Sequence, residues 1–349
     1  MANDDEIRAA GIEDRGHVVK LLFGSMVCQT VRAATRLRVF EVFGEKERSA
    51  TEVAAETGAH EQATYRLLRA LASLGLLEER AVGTFRATPA GTLLDSGRAD
   101  SLVDMVGMFT EPEMQRGWAL LDDGVRTGAT TFDTVFGKGF FAHLKDRPEL
   151  SARFNAAMSQ ASAETAAALP HAYDFGRFHH VADIGGGDGT LLTAVLQEYP
   201  ELTGVLNDTE EGLAQAPERL RRLGLTERCS LVTGDFFQSV PEGADLYLIK
   251  SILHDWNDEQ CATILGHCRA VLPPEGRVLI VEPVLPELVD PDNPRLTYLT
   301  DLNMLVNVGG RERTRADFEE VCGRAGLSVV SVTPLGAPHE FSLIEAEAA

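Results

Sequence analysis

The chain has 349 residues, of which 44% are hydrophobic and 24% are charged, a composition typical of a globular protein with one large or two medium domains. Its formal net charge of −21 disfavours nucleic acid and anionic membrane surfaces as partners and favours neutral or cationic small molecules. No apolar run approaches the roughly 20 residues of a membrane-spanning helix, and the acidic N-terminus lacks the order of a signal peptide, so we expect a cytoplasmic location and no membrane partner.

The first part of the chain, from about residue 16 to residue 170, has a nearly continuous helical pattern. Within it, residues 21–43 carry apolar side chains on more faces than one helix can bury inside its own subunit. Exposed apolar surface of that extent usually marks an interface, and a two-fold homodimer is the commonest closed assembly. We therefore predict that this end of the chain forms a homodimer.

Residues 49–87 follow with the pattern of a helix-turn-helix and a wing. Ser49 and Glu52 have capping-box spacing at the start of the first helix, and a short hairpin turns at Gly83. A DNA-binding regulator could share this form. However, residues 60–75, which would read the DNA, contain two arginines and no lysine, whereas a DNA reader normally shows a basic patch. This rival is therefore disfavoured, and we expect no nucleic-acid partner.

After about residue 172 the pattern changes to short strands that alternate with helices. This order predicts a parallel sheet with helices on both faces, so the fold class is α/β. We divide the chain into a winged-helix-like dimerisation domain (1–100), a helical linker and substrate-pocket region (101–171) and an α/β domain (172–349).

The first strand of the α/β domain leads into a glycine-rich loop, "VADIGGGDGT". Glycines let a backbone turn tightly and approach a ligand closely. The pattern D-x-G-G-G-x-G differs from the dinucleotide pattern G-x-G-x-x-G, and it lacks the Lys-Ser/Thr of a P-loop. Asp183, Gly185 and Gly187 are the candidate cofactor contacts in this loop. Glycine turns also follow strands where no ligand binds, so the loop alone does not decide.

Two acids at the ends of the next strands strengthen this prediction. Asp208 ends the second strand, where a carboxylate can accept hydrogen bonds from both ribose hydroxyls of an adenosine. Asp235 ends the third strand, where it can accept from the adenine amino group while Phe236 packs on the ring. Each residue alone could be a helix cap or a core side chain, but the carboxyl ends of parallel strands share one crevice. The set suits adenosine joined to a small zwitterion without phosphate, a description that S-adenosylmethionine fits.

A histidine follows the fourth strand, which ends at Lys250 beside the same crevice. This residue, His254, is joined by Glu282 at the end of the fifth strand and by Glu312 in the stretch "GGRERT". A carboxylate beside an imidazole fixes its tautomer and stabilises the imidazolium, so His254 is a candidate general base. Two simpler interpretations stay open: a histidine that only fills a polar niche, and Glu312 as an acid that a helix dipole favours.

Four motifs occur in a specific order and spacing: "DIGGGDG", "GDFF", "LHDWND" and "GGRERT". Over essentially its whole length, the chain resembles the bacterial and plant small-molecule O-methyltransferases typified by caffeic acid O-methyltransferase. The resemblance implies a class I methyltransferase sheet of the Rossmann-like kind behind a winged-helix dimerisation domain, with residues 172–349 binding S-adenosylmethionine. It also implies a place in secondary metabolism, such as antibiotic biosynthesis.

The same resemblance implies roles for individual residues. It makes His254 the general base, flanked by Glu282 and Glu312. The implied cofactor contacts are Gly185, Asp208, Asp235, Phe236 and Lys250. The implied pocket residues are Phe154 and Met158 of the "FNAAM" helix, and Asn307. One departure is visible, because the family commonly has "DLP" after the second strand where this chain reads "NDTEEGL", so the loop after Asp208 can sit differently against the ribose.

Together these features predict an enzyme that transfers the methyl group of S-adenosylmethionine to a hydroxyl, most simply a phenolic one, of a small aromatic molecule. The sequence contains no clustered ligand set that indicates a metal. One alternative is a C- or N-methyltransferase of the same fold, since a histidine base can also draw a proton from an acidic C–H. A cofactor-binding relative that does not methylate is a further alternative, which the intact His254 disfavours. The acceptor itself cannot be named from the sequence.

Overall fold

The computed structural model describes residues 14–291, 295–336 and 340–349. It contains two compact units, of which the first ends at Glu111 and the second begins at Pro112. The predicted three-part division is finer than this and stays a prediction. In the described part of the chain, no helix is long and apolar enough to cross a membrane.

The first unit consists of helices around a small antiparallel sheet. Its helices α1 to α6 span Gly24–Arg36, Val39–Phe43, Ala50–Thr57, Glu61–Ser73, Pro89–Thr92 and Val103–Phe109. Its strands β1 to β3 span Arg48–Ser49, Leu77–Ala81 and Thr84–Ala87 and pair in the order β1–β3–β2. Helices α3 and α4 with the β2–β3 hairpin have the predicted winged-helix form. The predicted capping box is confirmed, because Ser49 and Glu52 each accept the other's backbone N–H.

The apolar segment near the start of the chain divides into an exposed part and a buried part. Leu22 and Met26 are 75% and 62% exposed. Phe40 and Phe43 of α2 are instead buried in the core of the first unit, together with side chains of α4 and the hairpin. The short helix α2 turns these rings inward, so the predicted interface surface is limited to the residues that precede it.

The second unit is an α/β structure that begins with a run of helices. Its helices α7 to α11 span Pro112–Trp118, Leu121–Thr127, Thr131–Phe136, Phe140–Lys145 and Pro148–Ala172. Helices α12 to α16 span Thr190–Glu198, Ala216–Leu223, Asp258–Val271, Thr297–Asn307 and Arg315–Arg324. Strands β4 to β11 span His180–Ile184, Thr203–Asp208, Cys229–Thr233, Leu246–Lys250, Arg277–Leu285, Arg313–Thr314, Leu327–Pro334 and Phe341–Ala348.

These strands form one sheet in the order β10–β11–β8–β7–β4–β5–β6, and β9 pairs with β8 beside this path. Strands β6, β5, β4, β7 and β8 run parallel, whereas β11 runs antiparallel to both of its neighbours. The chain builds the sheet outward from β4 in one direction and then returns to add β7 on the other side of β4. Such a reversal opens a crevice at the carboxyl ends of the strands, where open α/β sheets bind their ligands.

Strand β7 shows how the sheet is buried on both faces. Leu246 and Leu248 belong to the core on one face, together with side chains of α12, whereas Tyr247 and Ile249 belong to the core on the other, with side chains of α14 and α16. A central parallel strand therefore reads as a continuous apolar run. The run stops at Lys250, where the strand reaches the crevice.

Candidate active site

The glycine loop, residues 185–189, has a backbone that requires glycine. Gly185 has a φ of 71°, in the left-handed region that side chains disfavour. A Cβ atom built on Gly185 would lie 2.3 Å from Cδ1 of Ile252, so a side chain cannot be accommodated without a shift. The N–H of Gly187 donates to Oδ2 of Asp208 at 2.9 Å. The loop after β4 is thereby tied to the acid that ends β5, as expected for a shared crevice.

Two carboxylates lie beneath this loop. Asp208 accepts a second hydrogen bond from the N–H of Thr209 at 2.7 Å, and burial raises its pKa. Asp183 is only 2% exposed, and its Oδ2 has no partner among the described residues. Burial, and then the charge of Asp208, raise the pKa of Asp183 to about 7. The negative charge of these two carboxylates favours a cationic ligand over an anionic one.

Asp235 and Phe236 follow β6. The carboxylate of Asp235 accepts from the N–H of Phe237 at 2.9 Å and from the amide of Gln238 at 3.1 Å, so it caps its own turn, and the side chain is exposed. Phe236 is half-buried, and its Cε1 is 3.7 Å from the point that a Cβ on Gly185 would occupy. The structure therefore brings Phe236 to the glycine loop, whereas the contacts of Asp235 are the local ones of a capping acid.

Lys250 reaches the crevice from the end of β7. Its Nζ donates to Oγ of Ser162 in α11 at 2.8 Å and lies 5.0 Å from the ring centre of Phe341. Burial lowers the pKa of Lys250 to about 8, although the neighbouring acids Glu282, Asp183 and Asp255 oppose this shift. The next residue, Ser251, has a φ of 53°, which strains a non-glycine backbone at the point where the chain leaves the sheet.

His254 lies in the single turn Leu253–Asp255 that follows. Its Nδ1 is 3.2 Å from Oε1 of Glu312, and its Nε2 is 3.7 Å from Oδ1 of Asp255. A carboxylate partner favours the proton on Nδ1, which leaves Nε2 as the acceptor of the neutral ring. Burial alone would lower the pKa of His254, but the charges of Glu282, Glu312 and Asp255 outweigh it and raise the pKa to about 10.

The side chain of Glu282 stabilises the turn that carries His254 by accepting hydrogen bonds from the backbone of that turn. One carboxylate oxygen of this buried side chain accepts from the N–H groups of Ile252 at 3.0 Å, Leu253 at 2.7 Å and His254 at 3.3 Å. Burial raises the pKa of Glu282, while the neighbouring His254 opposes the shift. Glu282 therefore anchors the turn that carries the histidine and acts on the imidazole through its charge.

Two residues of helix α15 hold Glu312 in place through hydrogen bonds. Its Oε1 accepts from the hydroxyl of Thr300 at 3.1 Å, and its backbone N–H donates to Asp301 at 2.8 Å. The preceding loop passes so close to the turn that a Cβ on Gly310 would lie 2.0 Å from the carbonyl oxygen of His254. The glycines of "GGRERT" thus permit the close approach that places Glu312 against the imidazole.

Sequence reasoning did not assign a role to Arg313, the residue after Glu312. Its side chain is fully buried and donates to the carbonyl oxygens of Leu253 at 2.7 Å and Trp256 at 2.9 Å, and to Asp258 at 2.8 Å. Arg313 therefore fixes the turn on both sides of His254. Nothing in the local sequence separates such a buried arginine from an exposed one, because its partners come from more than 50 positions away.

Phe154, one of the expected pocket residues, belongs to an aromatic wall, defined here as Phe140, Phe141, Phe154 and Trp256. Phe154 meets Phe140 edge to face with ring centres 5.3 Å apart, and Phe141 stacks on Trp256 at 5.4 Å. The wall therefore leads from α11 to the turn of His254, since Trp256 is two residues further along. Met158, one helical turn after Phe154, is half-buried.

Asn307 lies at the end of α15 and is buried. Its amide donates to Asn303 at 2.8 Å, and Asn303 also accepts from the indole N–H of Trp118 at 3.1 Å. Within the part of the chain that the structure describes, the carbonyl oxygen of Asn307 has no hydrogen-bond partner. These contacts connect Asn307 to α7, and none of them joins it to His254 in the described residues.

The imidazole of His254 and the carboxylates of Glu282 and Glu312 offer donor atoms within 4.8 Å of one another, a spacing that could also hold a metal ion. One oxygen of each glutamate already accepts hydrogen bonds from protein donors. The other oxygen of each glutamate, Oε2, is buried and has no hydrogen-bond partner among the described residues. The expectation of a metal-free site therefore stays a prediction.

Comparisons with known proteins identify the family of the chain. The model of the O-methyltransferase domain matches residues 118–328, and that of the O-methyltransferase dimerisation domain matches residues 19–96. The O-demethylpuromycin-O-methyltransferase of Streptomyces alboniger is 43% identical over 98% of this chain and 92% of its own length. The 8-amino-8-demethylriboflavin N,N-dimethyltransferase of Streptomyces davaonensis is 35% identical over 87% of this chain and 87% of its own length.

Among solved structures, an O-methyltransferase from neocarzinostatin biosynthesis is 31% identical, with a TM-score of 0.75 over 92% of this chain and 96% of that chain. It was crystallised with S-adenosyl-L-homocysteine and 1,4-dihydroxy-2-naphthoic acid. The predicted fold, with its class I methyltransferase sheet, is confirmed by these matches. The chain belongs to the O-methyltransferase family and is an S-adenosylmethionine-dependent enzyme.

Proposed function

We propose that this enzyme transfers the methyl group of S-adenosylmethionine to a phenolic hydroxyl of a small aromatic acceptor, with His254 as the general base. The observation that carries the proposal is the 3.2 Å contact between Nδ1 of His254 and Glu312, which favours a proton on Nδ1. Nε2, which lies 3.7 Å from Asp255, is then the atom that takes the substrate proton. One of the solved structures named above belongs to neocarzinostatin biosynthesis, which supports a role in secondary metabolism.

The residues around the glycine loop fit the cofactor. S-adenosylmethionine, when bound, supplies a methyl group on a positively charged sulfonium. The turn that Gly185 and Gly187 permit lets the backbone approach the ligand, and Asp208 offers a carboxylate to the ribose. Phe236 offers a ring to the adenine, while the charges of Asp183 and Glu282 favour a cation nearby. In this proposal Asp235 contributes less than the other acids, because its carboxylate already caps a turn.

The proton passes from the phenolic hydroxyl of the acceptor to the imidazole of His254. A phenol has a pKa of about 10 and is a weak nucleophile at neutral pH. The acids around His254 raise its pKa to about 10, which favours acceptance of the phenolic proton at Nε2. Glu312 and Glu282 stabilise the imidazolium that results. Because a raised pKa keeps most of the imidazole protonated at pH 7, turnover should increase as the pH rises.

The aromatic wall orients the acceptor. Phe154 and Phe141 present ring faces and edges that pack against a flat aromatic molecule, and Trp256 continues this surface to the turn of His254. Such packing would restrict the orientation of the acceptor, and positioning of this kind can contribute as much to the rate as base catalysis or more.

A second candidate is N-methylation of an aromatic amine, which the N,N-dimethyltransferase among the relatives favours. A neutral arylamine attacks through its own lone pair and does not need to lose a proton first. Its methylation should therefore depend much less on His254 than that of a phenol. This difference lets one variant separate the two functions.

We also propose that the enzyme is a homodimer. The model of the dimerisation domain covers residues 19–96, and the exposed apolar residues Leu21, Leu22 and Met26 lie in that range. Two-fold pairing would remove this surface from water.

The proposed function is tested by a screen of phenols, catechols, polyketide-like aromatics and arylamines with methyl-labelled S-adenosylmethionine. We expect label on a hydroxyl oxygen, and loss of that label with His254→Gln. Label found only on nitrogen, and insensitive to His254→Gln, would establish the second candidate instead. Transfer that stops on treatment with a chelator and returns with a divalent cation would show that the cluster of His254, Glu282 and Glu312 holds a metal.

A further inference from the structure

We propose that Arg219 is a positioning residue, which couples the glycine loop to helix α11 so that occupancy of the cofactor site holds the acceptor wall in place. The inference rests on the proposed function only in taking Phe154 of α11 as part of the acceptor wall. Arg219 lies in α13, and neither the motifs of the sequence nor the base chemistry assigned it a role.

Helix α11 is attached to the sheet through a polar stripe, defined here as Asn155, Ser159 and Ser162. Ser159 and Ser162 follow Asn155 by four and seven residues, so all three side chains lie on one face of the helix. Asn155 donates to the carbonyl oxygen of Glu211 at 2.8 Å, in the loop after β5. Ser162 accepts from Lys250 at the end of β7. The stripe thus contacts the loop after β5 through Asn155 and the end of β7 through Ser162. Ser159 contacts the glycine loop, which follows β4.

The central contact of the stripe is a three-residue network. The guanidinium of Arg219 donates to Oδ2 of Asp188 at 2.6 Å and to Oγ of Ser159 at 3.0 Å. The hydroxyl of Ser159 donates to the same oxygen of Asp188 at 2.9 Å. The side chains of Arg219 and Asp188 are 21% and 13% exposed, so water screens this ion pair less than a surface pair. One arginine therefore fixes a glycine-loop residue and an α11 residue simultaneously.

Asp188 gives the network its influence on the cofactor site. It lies between Gly187 and Gly189, which both have left-handed backbones, and the N–H of Gly187 holds the carboxylate of Asp208. The charges of Asp208 and Asp188 both raise the pKa of Asp183, so three carboxylates interact around this loop. Arg219 provides the positive charge that offsets one of them. Without it, repulsion among the acids would favour a shift of the loop and of Asp208 with it.

A ligand that restricts the glycine loop will restrict α11 through the same hydrogen bonds, because Asp188 and Ser159 share one donor. Coupling of this kind is reciprocal: a loop held by the cofactor fixes the helix, and a fixed helix favours the loop conformation that binds cofactor. The acceptor wall would then be fully ordered only when the cofactor is in place. This predicts that the cofactor binds first and the acceptor second.

Hydrogen–deuterium exchange tests the coupling with the full-length protein and S-adenosylhomocysteine, and it needs no acceptor. In the wild type, saturating S-adenosylhomocysteine should slow exchange several-fold both in residues 232–238, beside Phe236, and in residues 152–164 of α11. In Arg219→Met the first effect should persist at saturation while the second is clearly reduced, because only the direct contacts of Ser159 with Asp188 and Thr190 remain. The Kd for S-adenosylhomocysteine should rise about tenfold. Arg219→Lys should restore part of the α11 protection, since it keeps the charge and one donor.

Two further variants keep the test decisive. Arg221→Ala is the matched control, because Arg221 is on the same helix but forms an exposed pair with Glu218, and it should leave α11 protection as in the wild type. Ser159→Ala removes one hydroxyl and should reduce α11 protection even if Arg219→Met fails to fold. Full ligand-dependent protection of α11 in Ser159→Ala, or in a folded Arg219→Met, would overturn the proposal. A failed acceptor screen would leave this measurement unaffected, so the two proposals fail separately.

Discussion

Nδ1 of His254 lies 3.2 Å from Oε1 of Glu312, and the same oxygen accepts the hydroxyl of Thr300 at 3.1 Å. The histidine is therefore paired with a carboxylate that is itself fixed in place, and this pairing sets its tautomer. The charge of Glu282, together with Glu312 and Asp255, raises its pKa. A histidine in a merely structural polar niche needs one satisfied partner. Here three acids surround a ring whose second nitrogen remains available, which is the arrangement a base requires.

The first prediction concerns Glu312. Glu312→Gln keeps the shape but removes a charge that raises the pKa of His254, so the rise of turnover with pH should move to lower pH. Turnover on a phenol at the plateau should fall roughly 10²-fold, because the imidazolium loses its stabilising partner. The pH dependence of kcat measures both effects. Glu320→Gln, an exposed residue paired with Arg324, is the control. A pH profile that does not move would contradict this role for Glu312.

The second prediction separates the two acids expected to bind cofactor. Asp208→Ala should weaken the binding of S-adenosylmethionine by about 1–3 kcal/mol, the cost of leaving buried donors unpaired. Asp235→Ala should cost less, because the structure shows Asp235 exposed and capping its own turn. Calorimetry with each variant gives the comparison, and the wild type should not bind NAD. The reverse order of the two losses would mean that Asp235 leaves its turn to hold the adenine.

A third prediction concerns the buried arginine beside the turn. Arg313→Met leaves Asp258 and two backbone carbonyls without their donor, so it should lower the free energy of unfolding by about 3–5 kcal/mol. Arg315→Met removes an exposed pair with Glu319 and should change it by no more than about 0.5 kcal/mol. Urea unfolding of both variants provides the measurement. Equal stabilities would show that the contacts of Arg313 are not needed to hold the turn.

A fourth prediction concerns assembly. Light scattering of the wild type should give twice the mass of one chain at micromolar concentration. Leu22→Asp with Met26→Asp places charges on the most exposed part of the apolar segment and should shift the protein toward the monomer. The same change at Val82, which is exposed in the hairpin turn of the wing, should leave the dimer intact. A wild-type monomer, or a double variant that still forms a dimer, would contradict the assignment of this surface.

Much of the scaffold could be predicted from local pattern. The apolar run of β7, the glycine loop and the capping box at Ser49 depend on residues close together in the chain, and all are present in the structure. The same holds for the convergence of the loop ends on one crevice, because parallel strands leave little choice.

What the sequence did not reveal depends on contacts between distant positions. Glu282 was expected beside the imidazole, yet its hydrogen bonds run to three backbone N–H groups 28 to 30 residues earlier in the chain. In the sequence, Arg313 and Arg219 cannot be distinguished from surface arginines, because the partners of both are distant in the chain. The apolar segment was read as too broad for its own subunit because the inward turn of Phe40 and Phe43 is not visible as a pattern.

The most direct test of the central claim is the turnover of His254→Gln on a phenolic acceptor as a function of pH. The account predicts that turnover at neutral pH falls by roughly 10²-fold or more while the affinity for S-adenosylmethionine stays nearly unchanged. The turnover of the variant should itself rise as the pH approaches about 10, because solvent then removes the phenolic proton. A variant that turns over within a few-fold of the wild type at pH 7 would contradict the general-base role and leave positioning as the main source of catalysis.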